Sequence, residues 1–165
     1  MNEKRTILTK DIIEKKLKRI AYEIVERNSS EEFIILAGIK ESGYVIANKL
    51  HELLTPLFKG KIELISVQLD KKNPAEITLN PTFNSADKVI ILVDDVANTG
   101  RTILYAMKPL LDLYPKKIQT VVLVERTHKQ FPVNSDYVGL SISTTLQDHI
   151  IVDVEKNEVL SAYLQ

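Results

Sequence analysis

Apolar residues recur along this chain with two different periods, and the alternation between them lays out the elements. From Thr9 to about Asn28 they fall at Ile13, Leu17, Ile20 and Ile24. Those spacings put one stripe on a helix, with Thr9 or Asp11 available to cap it. Residues 32–37 form a short apolar strand that ends at Gly38, and Ile39-Lys40-Glu41-Ser42-Gly43 then reads as a turn-like loop. A second helix follows from Tyr44 to about Phe58, apolar at Val45, Ile46, Leu50, Leu53, Leu54 and Leu57. Lys61–Leu69 and residues 88–93 read as strands, and a helix from Gly100 to Leu113 is stopped by Pro115. Residues 118–124 make another apolar strand. The remainder reads as turns with short strands at 136–139, 149–154 and 158–164, a small antiparallel appendage.

Strands alternating with helices predict an α/β fold: a mostly parallel twisted sheet flanked by helices, in a single domain over residues 1–165. Between the strands, residues 70–87 are long, polar and carry Pro74 and Pro81. A connection of that length without periodicity predicts a functional flap.

Composition narrows the function classes. The 165 residues are 44% hydrophobic and 27% charged, the balance of an ordinary soluble protein. No apolar run is long enough to span a bilayer. Met1-Asn2-Glu3-Lys4-Arg5 is charged where a signal peptide would lead into an apolar core, so the cytoplasm is the expected location. Without cysteine there is no disulfide, thiolate metal site or thiol nucleophile. Basic and acidic residues balance at 22 each, which speaks against broad electrostatic affinity for nucleic acid.

The chemistry concentrates in residues 89–102. A run suited to a buried parallel strand (Val89, Ile90, Ile91, Leu92, Val93) ends in Asp94 and Asp95, followed by Ala97-Asn98-Thr99-Gly100 and a helix start at Arg101. Open α/β sheets bind ligands at the carboxyl ends of their strands. There the carboxylates would accept hydrogen bonds from sugar hydroxyls or hold Mg²⁺. The turn and helix start offer N–H groups, the Thr99 and Thr102 hydroxyls and a positive dipole end to a phosphate. A pair of solvated turn carboxylates and a simple N-cap by Asn98 or Thr99 is the plainer reading of the same residues. A phosphorylated sugar is the ligand that joins both halves.

The run Ile90-Ile91-Leu92-Val93-Asp94-Asp95-Val96-Ala97-Asn98-Thr99-Gly100-Arg101-Thr102 resembles the type I phosphoribosyltransferase signature: four hydrophobic residues, two acids, a spacer, then Thr-Gly-x-Thr. The resemblance implies that fold, with a small hood and a flexible flap, and a site for 5-phosphoribosyl 1-pyrophosphate. In such proteins the acids bind the ribose hydroxyls and the loop binds the 5-phosphate. Gly38-Ile39-Lys40-Glu41-Ser42-Gly43 stands where the family carries its pyrophosphate loop. Its Lys40 charge and Ser42 hydroxyl suit pyrophosphate oxygens.

Over most of its length the chain is most similar to pyrimidine-operon attenuation regulators that are also uracil phosphoribosyltransferases. The segments Val124-Glu125-Arg126-Thr127-His128-Lys129-Gln130-Phe131-Pro132 and Asp136-Tyr137-Val138-Gly139 carry that likeness. It implies Mg²⁺-dependent transfer to a nucleobase, uracil above a 6-oxopurine, with Tyr137 and Val138 at the base and backbone groups near Val138 reading it. It also implies a homodimer or larger homo-oligomer. A nucleotide-responsive RNA-binding regulator, or a sugar-phosphate binder without turnover, are the rival classes.

The chain departs from the family pattern at three places. Glu41 and Ser42 stand where the pyrophosphate loop usually carries Thr-Arg. The flap begins Asp70-Lys71-Lys72-Asn73-Pro74 in place of an Arg-Asp-Asp run, so lysine point charges replace an arginine fork. Asn134 and Leu140 occupy positions that are often basic, which removes RNA phosphate contacts and disfavours RNA. His128 reads as a hydrogen-bonding turn residue before a general base, and Lys15, Lys16, Lys18 and Arg19 as a solvated helix face.

Overall fold

A computed structural model describes residues 4–70, 72, 77–80, 86–145 and 147–165. Its strands fall into two sheets. The larger has the order β4-β3-β2-β5-β6-β7, where β2 is Phe33–Ile39, β3 Lys61–Leu69, β4 Ile77–Asn80, β5 Val89–Ala97, β6 Lys117–Arg126 and β7 Tyr137–Ile142. All its neighbours run parallel except β3 and β4. The smaller sheet is antiparallel and joins β1 (Arg5–Thr9), β9 (Glu158–Leu164) and β8 (Ile150–Glu155).

Helices cover both faces of the larger sheet. Helix α1 (Lys10–Arg27) and helix α2 (Lys40–Leu54) bury Ile13, Leu17, Ile20, Ile24, Ile46 and Leu50 in one layer with Ile34, Leu36, Val89 and Ile91. Helix α3 (Arg101–Leu111) brings Ile103, Ala106 and Leu110 to the opposite layer with Ile35, Ala37, Ile90 and Leu92. Central strands buried on both faces explain the continuous apolar runs. The expected fold class is therefore the observed one: a mixed, mostly parallel sheet flanked by helices.

The bounds of β3 match the expected strand, and α1 lies within its expected span, although Thr9 caps it without a side-chain hydrogen bond. Other features differ. β2 runs through Gly38 to Ile39 and α2 begins at Lys40, so the expected loop is the last strand residue plus the first turn of a helix. β5 continues past Val93 to Ala97, placing Asp94 and Asp95 inside the ladder. The strand expected at 136–139 is β7, parallel to β6 in the large sheet and no part of an antiparallel appendage. Within the flap, Ile77–Asn80 pairs with β3; Lys71, Asn73, Pro74 and Pro81 lie outside the described residues. Finally, Arg5–Thr9 supplies the unforeseen strand β1. α3 ends at Leu111, two residues after Pro109, which has no N–H to donate back to the Tyr105 carbonyl.

Candidate functional site

The two acids sit where the strand's two-residue period slips. Leu92 and Ala97 pack into the α3 layer, whereas Val93 and Val96 both face the α1–α2 layer. A regular strand would put Val93 and Val96 on opposite faces, so the phase changes across Asp94-Asp95. Each carboxylate turns back on the following backbone: the Asp95 N–H donates to Asp94 Oδ1 at 2.9 Å, and the Val96 N–H to Asp95 Oδ1 at 2.8 Å. Asp94 is only 1% exposed, while Asp95 is half-buried.

Beyond β5 the turn is three residues long. Gly100 has φ 83° and stands at the N-cap of α3 without a side-chain cap, a conformation glycine adopts at little cost. The Thr99 carbonyl accepts from the N–H groups of Gln130 and Phe131, both at 3.0 Å, and Thr99 Oγ1 accepts from the Arg101 N–H at 3.3 Å. The loop is thus tied to 130–131 through its carbonyl while the first turn of α3 faces a cavity. That cavity, about 520 Å³, is lined by every residue from Asp94 to Ile103 together with Gln130, Phe131 and Ile150. Asp94, Asp95, Val96, Ala97, Asn98, Thr99, Gly100, Arg101 and Thr102 therefore share one wall. Carboxylates at one end and helix-start N–H groups and hydroxyls at the other can hold diol and phosphate together.

A second cavity of about 370 Å³ lies over the start of α2, lined by Lys40, Glu41, Ser42 and Gln68. Lys40 has φ 49°, a left-handed conformation that costs a residue with a Cβ roughly 1–2 kcal/mol. Such strain concentrates at ligand sites. Glycine makes the turn compact: a Cβ at Gly38 would stand 2.4 Å from Tyr44 Cα, and one at Gly43 would stand 2.6 Å from the Val93 carbonyl oxygen. Ile39 is fully buried and Gly43 is buried in the helix, so Lys40, Glu41 and Ser42 are the members that face this cavity.

The residues expected at the base, Tyr137 and Val138, lie on β7. Tyr137 is 0% exposed and packs in the α1 layer, its hydroxyl 3.4 Å from Asn28 Nδ2 and its ring under the Arg27 guanidinium. Burial raises its phenol pKa above the ordinary value. Val138 packs against the opposite layer. Neither lines the main cavity; from the smaller sheet Ile150 does. β7 joins the large sheet, which turns its side chains into the two cores and leaves its backbone for the expected base contact. His128 is exposed and lines a separate small cavity with Arg126 and Thr127.

Gln68, Gln130, Phe131 and Ile150 were missed by sequence reasoning. Gln68 lies near the carboxyl end of β3, so the rule that found Asp94 also points to it. The other three come from turns and the smaller sheet, for which periodicity carries no signal. Among the described residues no group of three His, Asp or Glu side chains could hold a metal by itself. The adjacent acids do suit Mg²⁺ shared with a substrate, since that ion is commonly held by one or two carboxylates plus phosphate oxygens and water.

Residues 4–158 match the phosphoribosyl transferase domain family. The Bifunctional protein PyrR of Bacillus cereus is 36% identical over 170 residues, covering 96% of this chain and 94% of that one. The protein of the same name from Bacillus pumilus is 34% identical over 178 residues, covering 99% of both. Among solved structures, the hypoxanthine phosphoribosyltransferase of Trypanosoma cruzi superposes with a TM-score of 0.81 at 16% identity, covering 98% and 97% of the two chains. A hypoxanthine-guanine phosphoribosyltransferase of Bacillus anthracis gives 0.75 at 20% identity, covering 96% of each. The slip at Asp94-Asp95, the uncapped start of α3 and the strained start of α2 thus occur in a chain that belongs to the phosphoribosyl transferase domain family, close to the PyrR proteins.

Proposed function

We propose that this protein transfers ribose 5-phosphate from 5-phosphoribosyl 1-pyrophosphate to uracil, releasing pyrophosphate. The observation that carries the reading is the single cavity walled by Asp94–Thr102 and met by Ile150 of the smaller sheet. In this reading the start of α3, with Thr99 and Thr102, holds the 5-phosphate, and Asp94 and Asp95 orient the ribose hydroxyls. Lys40 and Ser42 receive the pyrophosphate, with Gln68 beside them. Ile150 lies against the base, and backbone groups of Tyr137 and Val138 on β7 read it.

The bond from C1 of the ribose to pyrophosphate breaks as the bond to N1 of uracil forms, and the N1 proton leaves with the pyrophosphate. Positive charge builds on the sugar ring between the two events. The acids stabilise that charge by lying beside it already ordered, which costs no reorganisation during reaction. Asp94 or Asp95 would hold Mg²⁺ by way of substrate or water, and the ion would neutralise charge on the pyrophosphate oxygens. We further place the protein in the cytoplasm as a homodimer or larger homo-oligomer; no helix among the described residues is long and apolar enough to cross a membrane.

Incubating the protein with the pyrophosphorylated sugar, Mg²⁺ and a panel of bases tests the assignment. Uracil is expected to give nucleotide. Turnover of hypoxanthine or guanine instead would transfer the reading to a 6-oxopurine, the base class named in the fold neighbours. Near-normal turnover in Asp94→Asn/Asp95→Asn would overturn the site. The relatives are called bifunctional, which favours one second reading: nucleotide-responsive binding of leader RNA. Salt-sensitive, sequence-selective RNA binding would establish it.

A further inference from the structure

Arg126, at the last position of β6, spends its guanidinium on two parts of the site that are far apart in sequence. Its Nη1 donates to Asn98 Oδ1 at 2.8 Å, in the turn before α3. Its Nε donates to Thr144 Oγ1 at 2.6 Å, and its Nη2 to the carbonyls of Thr145 and Asp148, both at 2.6 Å. The segment it grips on that side leads directly into Ile150, the smaller sheet's contribution to the main cavity.

That segment is itself held in shape. Asp148 Oδ2 accepts from the Thr145 N–H at 2.9 Å and its hydroxyl at 2.8 Å. Thr127, next to Arg126, adds a backbone bond to the Ile142 carbonyl at 3.1 Å and an Oγ···Oγ contact of 2.9 Å with Ser143. A guanidinium presents its donors in a rigid planar fork, so fixing one acceptor restricts the others. A lysine would supply the charge without that constraint.

We propose that Arg126 is a positioning residue that couples the 5-phosphate turn at Asn98 to the base-side segment 144–150, so that order in one half of the site favours order in the other. Arg126 is absent from the lining of the main cavity, and its effect on either substrate passes through Asn98, the Thr144 hydroxyl or the Thr145 and Asp148 carbonyls. The proposal rests on the transferase reading for its two substrates, but not for the coupling itself.

The test is a double-mutant cycle in the full chain, with Asn98→Ala, Arg126→Lys and the pair, reading KM for the pyrophosphorylated sugar and for uracil separately from kcat. Arg126→Lys should raise both KM values by about tenfold, one decade being about 1.4 kcal/mol, although the residue does not line the main cavity. The pair should be no worse than the poorer single variant. Thr144→Val, which removes one acceptor and leaves the fork in place, should raise the uracil KM in the same direction by a smaller factor. Multiplying single effects, or a common fall in kcat and stability with both KM values unmoved, would overturn the coupling. If the wild type makes no nucleotide from any base, the transferase reading fails. The coupling is then read from calorimetry with the pyrophosphorylated sugar alone, where independent losses from the two substitutions would overturn it.

Discussion

Gly43 in the first turn of α2 lies so close to Val93 that a Cβ would stand 2.6 Å from the Val93 carbonyl oxygen, and 3.2 Å from the Cα of Asp94. Both are backbone atoms, so no side chain can swing aside. The contact sets the pyrophosphate-side turn against the acid pair, and a methyl group there must part them. Gly43→Ala should destabilise the protein by about 1–3 kcal/mol through overpacking, although alanine favours a helix interior by about 1 kcal/mol. Turnover should fall further than stability, because misplacing a reacting group by about 1 Å costs on the order of 100-fold. Urea midpoints and kcat check this, and a stabilised variant with normal turnover would show that the contact yields.

Glu41 faces the same cavity as Lys40 and Ser42 and is exposed. Its carboxylate is a like charge beside the proposed pyrophosphate position, where repulsion through water is about 1 kcal/mol at 4 Å. It also lies in the first turn of α2, where an acid favours the helix dipole. Glu41→Gln should therefore lower KM for the pyrophosphorylated sugar several-fold while slightly lowering the melting temperature. The gain should shrink as salt is added. An unchanged KM at low salt would mean that the Glu41 carboxylate stays clear of the pyrophosphate.

Lys16 and Arg19, which read as part of a solvated face, are used on the outer strand of the large sheet. Lys16 Nζ donates to the Gly139 carbonyl and Arg19 Nη2 to that of Val138, each at 2.8 Å, and Arg19 also pairs with Glu23. Basic side chains laid along an edge strand protect it from pairing with another chain. Lys16→Ala/Arg19→Ala should lower stability by about 1 kcal/mol and raise the tendency to aggregate, leaving any affinity for leader RNA unchanged. A drop in RNA affinity at unaltered stability would reassign these cations to RNA.

What could be read from sequence divides along physical lines. Asp94 through Thr102 was legible because strand, acids, turn and helix start are contiguous, and local chemistry alone places them on one wall. β3 was legible because Lys61–Leu69 is bounded on both sides by polar turns. The start of α2 was misread because glycines at 38 and 43 suggest a loop, whereas here they permit close packing and the strained residue is Lys40. Ile77 and Leu79 alternate over too few positions to announce β4. Tyr137 and Val138 were assigned to the base by resemblance alone; the parallel pairing with β6 that buries the Tyr137 side chain under α1 is a long-range choice their own period does not encode. Ile150 reaches the site from the smaller sheet, and Arg126 meets it through bonds to Asn98, Thr144, Thr145 and Asp148, all contacts between segments far apart in sequence.

Tyr137 offers a titration that separates its buried role from a ligand role. Burial raises its phenol pKa, against lowering contributions from Arg27 and the Asn28 hydrogen bond. A phenol whose pKa is higher folded than unfolded keeps its proton more firmly in the native state. Its contribution to stability is complete below the unfolded value of about 10 and is lost as pH rises from there through the folded value. Tyr137→Phe abolishes that loss. At neutral pH the variant should lie within about 1 kcal/mol of the wild type, since Asn28 Nδ2 keeps the Ile24 carbonyl at 2.8 Å and Gln119 Oε1 at 2.9 Å. Above pH 10 its urea midpoint should fall less than that of the wild type. Equal alkaline losses in both proteins would show that the Tyr137 phenol reaches solvent, and an altered KM for uracil at neutral pH would place the Tyr137 side chain at the base site.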